Sequence, residues 1–559
     1  MPGHAPVDVA SRVAVLVDAP QHSGLQGALD YRAERQHLPG SLLRVPFGRR
    51  EVLGIVWEAP VASDLPMLEL ASLRPVGEPL DALPPLPAGW RALVDFAAAY
   101  YQRSPGELAL AVLPPELRGL DAAALGRRIN RLRAQLSAKS PQATGARSAG
   151  GSMCPTDPPA PTRVPDALGP VPSTEQSAAL AALAAPVPAD APGVTLLHGA
   201  TGSGKTEIYL REARRALDAG RQALVLVPEI NLTPQLEARF IERFPGRRVV
   251  SLHSGLTPAR RLKHWLMALL GEADLVLGTR MAVFAPLPRL GLIVVDEEHD
   301  PSYKQQEGAR YSARDLAVVR GRIERVPVLL GSATPSLESW HNALAPAEGG
   351  PGRYRRLTLA SRIGGGALPA VRLVDMGRLP RETVRDTPIA PPLLAALQER
   401  LARGEQSLVF LNRRGYAPVL HCLDCAWKSA CAHCSAWRVF HKRDRTLRCH
   451  HCGFTERVPR ACPECGNADI QPVGRGTERL EEQLAALLPG ARLGRIDADT
   501  TRRSGALEAE LARVHAGEID VLVGTQMIAK GHDFRRITLV AAVNPDAALF
   551  SSDFRGPER

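Results

Sequence analysis

Short, continuously apolar runs alternate with amphipathic stretches along most of this chain. Val194–Leu197, Leu224–Val227, Leu292–Val295 and Val328–Leu330 are each unbroken hydrophobic segments. A strand covered on both faces reads this way, and the helical stretches between the runs suit crossover connections. A second series begins near Leu408–Leu411 and includes Val521–Val523 and Thr538–Val543. The pattern predicts an α/β protein with two parallel-sheet lobes.

The first part of the chain, residues 1–115, reads differently. Ser11–Val17 is apolar and β-branched, and residues 41–50 lead through a basic, Gly-containing turn into Val52–Trp57. These runs predict a small β-rich domain. A helical stretch follows, with apolar residues at Leu93, Val94, Phe96, Ala97 and Tyr100. Residues 138–172 are rich in Pro, Ala, Gly, Ser and Thr and have little periodicity, so a disordered linker is expected there. Cys154 lies inside it as an unpaired thiol.

Composition narrows the class. At 559 residues the chain exceeds one core, and roughly three to five domains are expected. Lys plus Arg (69) exceeds Asp plus Glu (58), a formal net charge of +11 that favours a polyanionic partner. The N-terminus lacks the basic start and apolar stretch of a secretory signal. No apolar run reaches the ~18 residues that span a bilayer, so no membrane partner is expected. A cytoplasmic protein with reduced thiols is the expectation.

Gly199-Ala200-Thr201-Gly202-Ser203-Gly204-Lys205-Thr206 matches GxxxxGK[ST], with an apolar run before it and a helical stretch after it. Such a turn wraps backbone N–H groups and a helix N-terminus around phosphates. Lys205 is expected to reach the β- and γ-phosphates of ATP and Thr206 to ligate Mg²⁺. The run Leu292–Val295 leads into Asp296-Glu297-Glu298-His299. Asp296 is the expected Mg²⁺ partner, and Glu297 the base that orients the attacking water. These elements establish nucleotide hydrolysis and leave the substrate open.

Eight of the nine cysteines form four CxxC turns: Cys422/Cys425, Cys431/Cys434, Cys449/Cys452 and Cys462/Cys465. Each turn bites one metal and tetrahedral Zn²⁺ takes two turns, so eight sulfurs suit two Zn²⁺ ions. Spacing leaves the pairing of turns open. The basic residues between them, Arg438, Lys442, Arg443, Arg445 and Arg448, suit either DNA contact or a solvated loop.

Gly331-Ser-Ala-Thr-Pro-Ser336 after a buried run, in its place downstream of Asp296–His299, matches motif III of superfamily 2 helicases. Val227–Ile230, His253–Leu256 and Gly278–Arg280 fall where such motors carry strand-binding motifs. Phe410–Tyr416 opens the second lobe, and Gly524–Phe534 resembles motif V. Gln176 is placed to read adenine. Residues 296–308, 310–317, 474–479 and 529–534 then make the likeness specific. Together they resemble the PriA family (primosomal protein N-prime), from about Thr174 to Arg559 and more faintly through Arg44–Arg49. The resemblance implies two RecA-like lobes, here 173–355 and 356–559, with a zinc-binding insertion at 421–469. It also implies a 3′-DNA-binding domain at 1–115 and a reduced winged-helix region at 116–137.

By the same resemblance the zinc ligands are nested, Cys422, Cys425, Cys462 and Cys465 around one ion and Cys431, Cys434, Cys449 and Cys452 around the other. Arg280, Lys304, Tyr311, Thr525 and Lys530 are the implied DNA contacts. The implied activity is 3′-to-5′ unwinding of stalled or abandoned forks, driven by ATP. The implied partners are fork and single-stranded DNA, primosome proteins, single-stranded-DNA-binding protein and the replicative helicase loader. Departures from the family pattern are Ala309 in place of an aromatic and no QxxGRxGR motif before Arg559. That motif's arginines stabilise transition-state charge. A fork-binding scaffold with impaired ATPase is therefore the rival reading, and an RNA helicase a third.

Overall fold

The computed structural model describes residues 11–19, 24–25, 27–58, 69–138, 169–185, 193–228, 234–345, 352–363, 369–380, 389–411, 419–422, 424–434, 437–441, 445–449, 452–472, 477–497, 500, 506–525, 534 and 536–548. Most of the expected linker with Cys154, the segments 412–418, 474–476 and 526–533 with Lys530, Lys442, Arg443, and residues 549–559 lie outside these. The chain divides into two compact units, Met1–Ala367 and Leu368–Arg559. No described helix is long and apolar enough to cross a membrane.

Unit one begins with an antiparallel sheet of β1 (Ser11–Leu16), β2 (Leu29–Ala33), β3 (Leu42–Phe47) and β4 (Arg50–Val56), ordered β2-β1-β4-β3. Two of these strands, β3 and β4, form a hairpin pairing Phe47 with Arg50. Helix α1 (Ala88–Tyr100) follows, with Trp90, Leu93, Val94 and Ala97 buried along one face. Next come α2 (Pro105–Ala111) and α3 (Ala122–Ala138). Within the expected winged-helix region the structure has only a 3₁₀ turn, Pro115–Gly119, and α3; among the described residues it contains no strand. Arg44, in the segment of family likeness, braces this region by donating to the carbonyls of Arg118 (2.7 Å) and Leu120 (2.5 Å).

A capping box opens α4 (Thr174–Ala184): Ser173 accepts from the Gln176 N–H, and the Gln176 carbonyl accepts from the Ser173 N–H. The main sheet follows, made of β5 (Val194–Gly199), β6 (Gln222–Leu226), β7 (Val249–Leu252), β8 (Leu275–Gly278), β9 (Leu290–Asp296), β10 (Val328–Ser332) and β11 (Arg355–Leu359). Its order is β11-β5-β10-β9-β6-β8-β7, and every pairing is parallel. The connections carry α5 (Lys205–Asp218), α6 (Pro234–Arg243), α7 (Pro258–Leu269), α8 (Ala313–Glu324) and α9 (Leu337–Asn342). Consecutive strand residues enter opposite cores. Leu196, Leu224, Val276 and Ile293 join one, while Leu197, Val225, Leu277 and Val294 join the other. That is why the runs are continuous rather than alternating.

The first of these cores is shared with the N-terminal domain. It holds Leu16, Leu53, Ile55 and Trp90 together with Leu196, Ile293 and Leu330. Fully buried Trp90 donates its indole N–H to the Phe284 carbonyl at 2.7 Å. The expected start of the second lobe at residue 356 lies inside β11, which pairs with β5 from Arg355↔Thr195 to Leu359↔Gly199. The boundary therefore moves: the first lobe keeps this edge strand, and the compact units divide after Ala367.

Unit two contains α10 (Pro391–Ala402), β12 (Gln406–Leu411), β13 (Leu420–Cys422), β14 (Val439–His441), β15 (Thr446–Arg448), β16 (Thr455–Arg457), β17 (Ile470–Pro472), α11 (Thr477–Leu487), β18 (Leu493–Ile496), α12 (Ala506–Ala516), β19 (Val521–Gly524) and β20 (Ile537–Val543). The parallel sheet runs β18-β19-β12-β20. Between β12 and α11 the chain leaves this sheet. It returns through an antiparallel stem of β13 and β17, with a three-stranded sheet of β14, β15 and β16 inside the excursion.

Candidate functional site

The chemistry-bearing loops of unit one gather at the C-terminal ends of three adjacent strands, β5, β10 and β9. Open α/β sheets place ligand sites at that edge. After β5 the chain turns through Gly202 (φ 84°) and Gly204 (φ 81°) into α5. A side chain at Gly204 would put its Cβ 2.2 Å from Gln176 Nε2, so the turn is closed to anything larger. Lys205 is 8% exposed and donates to the Gly199 carbonyl at 2.8 Å, holding its ammonium across the loop. Ser203 Oγ is buried with no hydrogen-bond partner, an orphan polar atom inside the cradle. A positive lysine, a helix N-terminus and an unpartnered hydroxyl fit a nucleotide polyphosphate.

Two further segments brace this loop. Gln176 is 2% exposed and donates to the carbonyls of Ser203 (3.4 Å) and Gly204 (3.2 Å), while its own carbonyl caps α4. The geometry thus gives Gln176 a buttressing contact with the loop rather than a free amide facing a base. After β11, Arg362 Nε donates to the Thr201 carbonyl at 3.0 Å and the Ile363 N–H donates to the Gly202 carbonyl at 2.9 Å. Ala200 lies between β5 and these braced residues, and Thr206 in the first turn of α5.

Asp296 ends β9, and Glu297 follows with φ 46°, a left-handed conformation uncommon for a side-chain-bearing residue. Asp296 Oδ1 accepts from the Tyr209 hydroxyl and from the Glu297 N–H, both at 3.0 Å. The Tyr303 hydroxyl donates to the Asp296 carbonyl at 2.7 Å. Burial first, then the Asp296 charge, pushes the pKa of both tyrosines far above the ordinary phenol value, so both remain donors. Tyr209 stands one turn along α5 from Lys205 and ties the phosphate loop's helix to the acidic strand end.

The remaining acidic-motif residues face the segment after β10. His299 Nδ1 lies 2.8 Å from Ser332 Oγ, which accepts from the Thr334 N–H at 2.9 Å. Glu298 is 1% exposed. It accepts from the Ser336 N–H (2.7 Å), the Ser336 hydroxyl (3.0 Å), the Ser339 hydroxyl (2.8 Å) and Arg314 (3.3 Å). A single carboxylate thus joins β9, α9 and α8.

Not every expected nucleic-acid contact is presented to solvent. Tyr311 is 4% exposed and packs edge-on against Phe284 at 5.2 Å, so it is a core residue and not a stacking platform. Arg280 donates to the Ser302 carbonyl at 2.8 Å and holds the turn that carries Lys304. Lys304 is exposed and sits 5.3 Å above the Tyr101 ring. In unit two, Thr525 is buried directly after β19. Tyr209, Ser339 and Arg362 carry no motif signature, because their partners are distant in sequence.

In unit two the eight cysteines form two separate sets of four, with all ligand atoms of a set within 4.8 Å of one another. Closest sulfur pairs are Cys422–Cys465 (3.5 Å), Cys425–Cys462 (3.4 Å), Cys431–Cys452 (3.5 Å) and Cys434–Cys449 (3.5 Å). Disulfides need sulfurs about 2.05 Å apart, whereas tetrahedral Zn–S bonds of about 2.3 Å place them about 3.8 Å apart. The grouping is nested: the outer CxxC turns share one set and the inner turns the other.

Three family models match the chain. A 3′DNA-binding domain matches residues 14–114, a DEAD/DEAH box helicase 175–343, and the Cys-rich region of PriA DNA helicase 431–457. Among curated relatives, "Replication restart protein PriA" of Rickettsia felis is 34% identical over 93% of this chain and 72% of its own length. Proteins of the same name from Haemophilus influenzae and Bacillus subtilis are 47% and 44% identical, over 66% and 70% of this chain. The chain spans about half the length of those two, 49% and 48%. A solved structure of RecG bound to a three-way DNA junction is similar over 67% of this chain and 38% of its own, with 18% identity and a TM-score of 0.39, too distant to bear on function.

Proposed function

Because the chain belongs to the PriA family of replication restart proteins, we propose that it is an ATP-dependent 3′-to-5′ DNA helicase acting at stalled or abandoned forks. The observation that carries this reading is the convergence of Lys205, Asp296 and His299–Ser332 at one edge of a parallel sheet. Lys205, Ser203 and the loop amides would hold the phosphates, and Thr206 and Asp296 the Mg²⁺ that neutralises charge on them. Glu297, directly after β9 and 3.6 Å from His299 Nδ1, would orient water, its backbone already turned by the positive φ. Movement of the β10 loop against His299 and Glu298 would pass the state of the site to α8 and α9.

The 3′DNA-binding domain would take the nascent-strand end; in unit one Lys304 would contact DNA, with Arg280 acting through the turn it holds, and Thr525 and Lys530 are the proposed DNA contacts of unit two. The two cysteine sets would each hold one Zn²⁺. Primosome proteins, single-stranded-DNA-binding protein and the replicative helicase loader are the proposed protein partners. DNA-stimulated ATP hydrolysis tests the motor reading: turnover no greater than that of Lys205→Ala would reduce the chain to a fork-binding scaffold. Partial duplexes with only a 3′ or only a 5′ tail test the direction, and fork DNA against RNA duplex as stimulant tests the substrate.

A further inference from the structure

Helix α1 ends in a Schellman motif with Gln102 in the left-handed position, at φ 52°. The Gln102 N–H donates to the Ala99 carbonyl at 3.3 Å and the Arg103 N–H to the Ala98 carbonyl at 2.9 Å, and Pro105 then opens α2. The backbone of residues 101–103 is therefore fixed, and both side chains flanking Gln102 reach one loop of the first lobe. The Tyr101 hydroxyl oxygen accepts from the Ser312 N–H at 3.0 Å, and Arg103 Nη2 donates to the Gly308 carbonyl at 3.1 Å. The Lys304 ammonium sits 5.3 Å above the Tyr101 ring, a third contact between the same two segments.

That loop, residues 304–312, is closed at its base by an antiparallel bridge between Lys304 and Ser312 and by the Gln305 N–H, which donates to the Tyr311 carbonyl at 2.8 Å. Its tip, Gln306 to Gly308, is exposed. On one side the loop joins the acidic strand end: the Tyr303 N–H donates to the Asp300 carbonyl at 3.2 Å, and the Asp300 N–H to the Glu297 carbonyl at 2.8 Å. On the other side Ser312 caps α8 by accepting from the Asp315 N–H at 3.3 Å, and Arg314 meets buried Glu298. A shift at the base of the loop thus reaches Glu297 by one route and Glu298 by the other. Packing of the N-terminal domain on the lobe is already supplied by the apolar core around Trp90. Two directional contacts on a loop with an exposed tip add little to that burial and mainly fix geometry.

We propose that Tyr101 and Arg103 are positioning residues: from the N-terminal domain they hold loop 304–312 in the arrangement through which DNA accelerates ATP hydrolysis. This rests on the DNA-motor reading and assigns the coupling to two side chains inside the 3′DNA-binding match at residues 14–114. The test uses the full chain carrying Tyr101→Phe, which keeps the ring beside Lys304, together with Arg103→Met, which keeps the aliphatic stem. Glu107→Gln is the control, because it removes the other partner of Arg103, at 3.6 Å, and leaves the Gly308 contact. In the double variant the ratio of DNA-stimulated to DNA-free kcat should fall about tenfold, a factor of about three for each hydrogen bond lost. KM for ATP should hold and Tm should stay within about 2 °C of wild type, while Glu107→Gln keeps the wild-type ratio. Hydrogen exchange in the DNA-free double variant should be about threefold faster across residues 304–312. An unchanged ratio would overturn the proposal, as would an equal fall in both rates or unaltered exchange in the loop. A wild type that DNA does not stimulate fails the motor reading itself, whereas equal stimulation of wild type and double variant fails the positioning role alone.

Discussion

Replacing Glu298 by Gln removes one charge and one acceptor oxygen from a site that is 1% exposed. The carboxylate accepts four hydrogen bonds, two of them at 2.7 and 2.8 Å from the Ser336 N–H and the Ser339 hydroxyl. Gln can still accept from the Ser336 N–H and can donate to the hydroxyls, which rotate to accept. Arg314 cannot accept, so the new amide N–H would face its N–H. Hydrogen bonds to charged groups are worth about 1.5–3 kcal/mol. Arg314 keeps its ion pair with Asp315 at 2.7 Å, which limits the damage. The expected cost is therefore about 2–3 kcal/mol for Gln and about 3–5 kcal/mol for Ala, where the buried pair is broken outright. For a cooperative unit of 150–250 residues, the Gln figure corresponds to about 4–12 °C in Tm. Glu298 touches neither the phosphate loop nor Asp296, so KM for ATP should hold while DNA-stimulated kcat falls. Thermal melting followed by tryptophan fluorescence, together with steady-state ATPase, reads both quantities. A Tm within about 1 °C of wild type and an unchanged kcat would refute the view that this carboxylate couples β9 to α8 and α9.

Gly204→Ala would place a Cβ 2.2 Å from Gln176 Nε2 at a φ of +81°, so the loop must shift. The Kd for Mg·ATP should rise about tenfold or more, and unchanged nucleotide affinity would contradict the closed-turn geometry. His264 is held below the ordinary imidazole pKa by burial, against the opposing effect of the Ser251 carbonyl 2.7 Å from its Nδ1. The unfolded chain thus takes up the proton first, and this residue's share of stability is lost as pH falls below about 6.5. His264→Gln should flatten the fall in Tm between neutral and mildly acidic pH, and an equally steep profile would contradict it. Zinc analysis should find two ions per chain, and Cys425→Ser should release one and keep the other because the two cysteine sets are separate. Loss of both ions would mean the sets do not bind independently.

The sheet was legible wherever strands are buried on both faces, since Leu292–Val295 or Val328–Leu330 offers no polar alternative. It was not legible at β7, β8 and β18, which are only four residues long. Nor was it at β11, whose Arg-Arg-Leu-Thr-Leu sequence is polar because an edge strand is half exposed. The phosphate loop was readable because its chemistry is contiguous in sequence. Tyr209–Asp296, 87 residues apart, and Glu298–Ser339, 41 apart, exist only once the strands have been ordered. Tyr311 misled for a related reason. An aromatic beside a functional motif satisfies packing and function equally well on paper, and here the ring fills the interior.

The core that runs from Leu16 and Trp90 into Leu196 and Ile293 makes the N-terminal domain something other than a detachable cassette. Cut away, α1 would expose the indole of Trp90 and leave the Phe284 carbonyl without its donor. The first lobe would in turn lose one wall of its interior. A chimera that exchanged this domain for another would have to repack the first lobe as well, so the two inherit each other's mutations. Substitutions at Trp90 or Phe284 should then drift as a pair in laboratory evolution, even though one lies in the 3′DNA-binding domain match and the other in the DEAD/DEAH box helicase match.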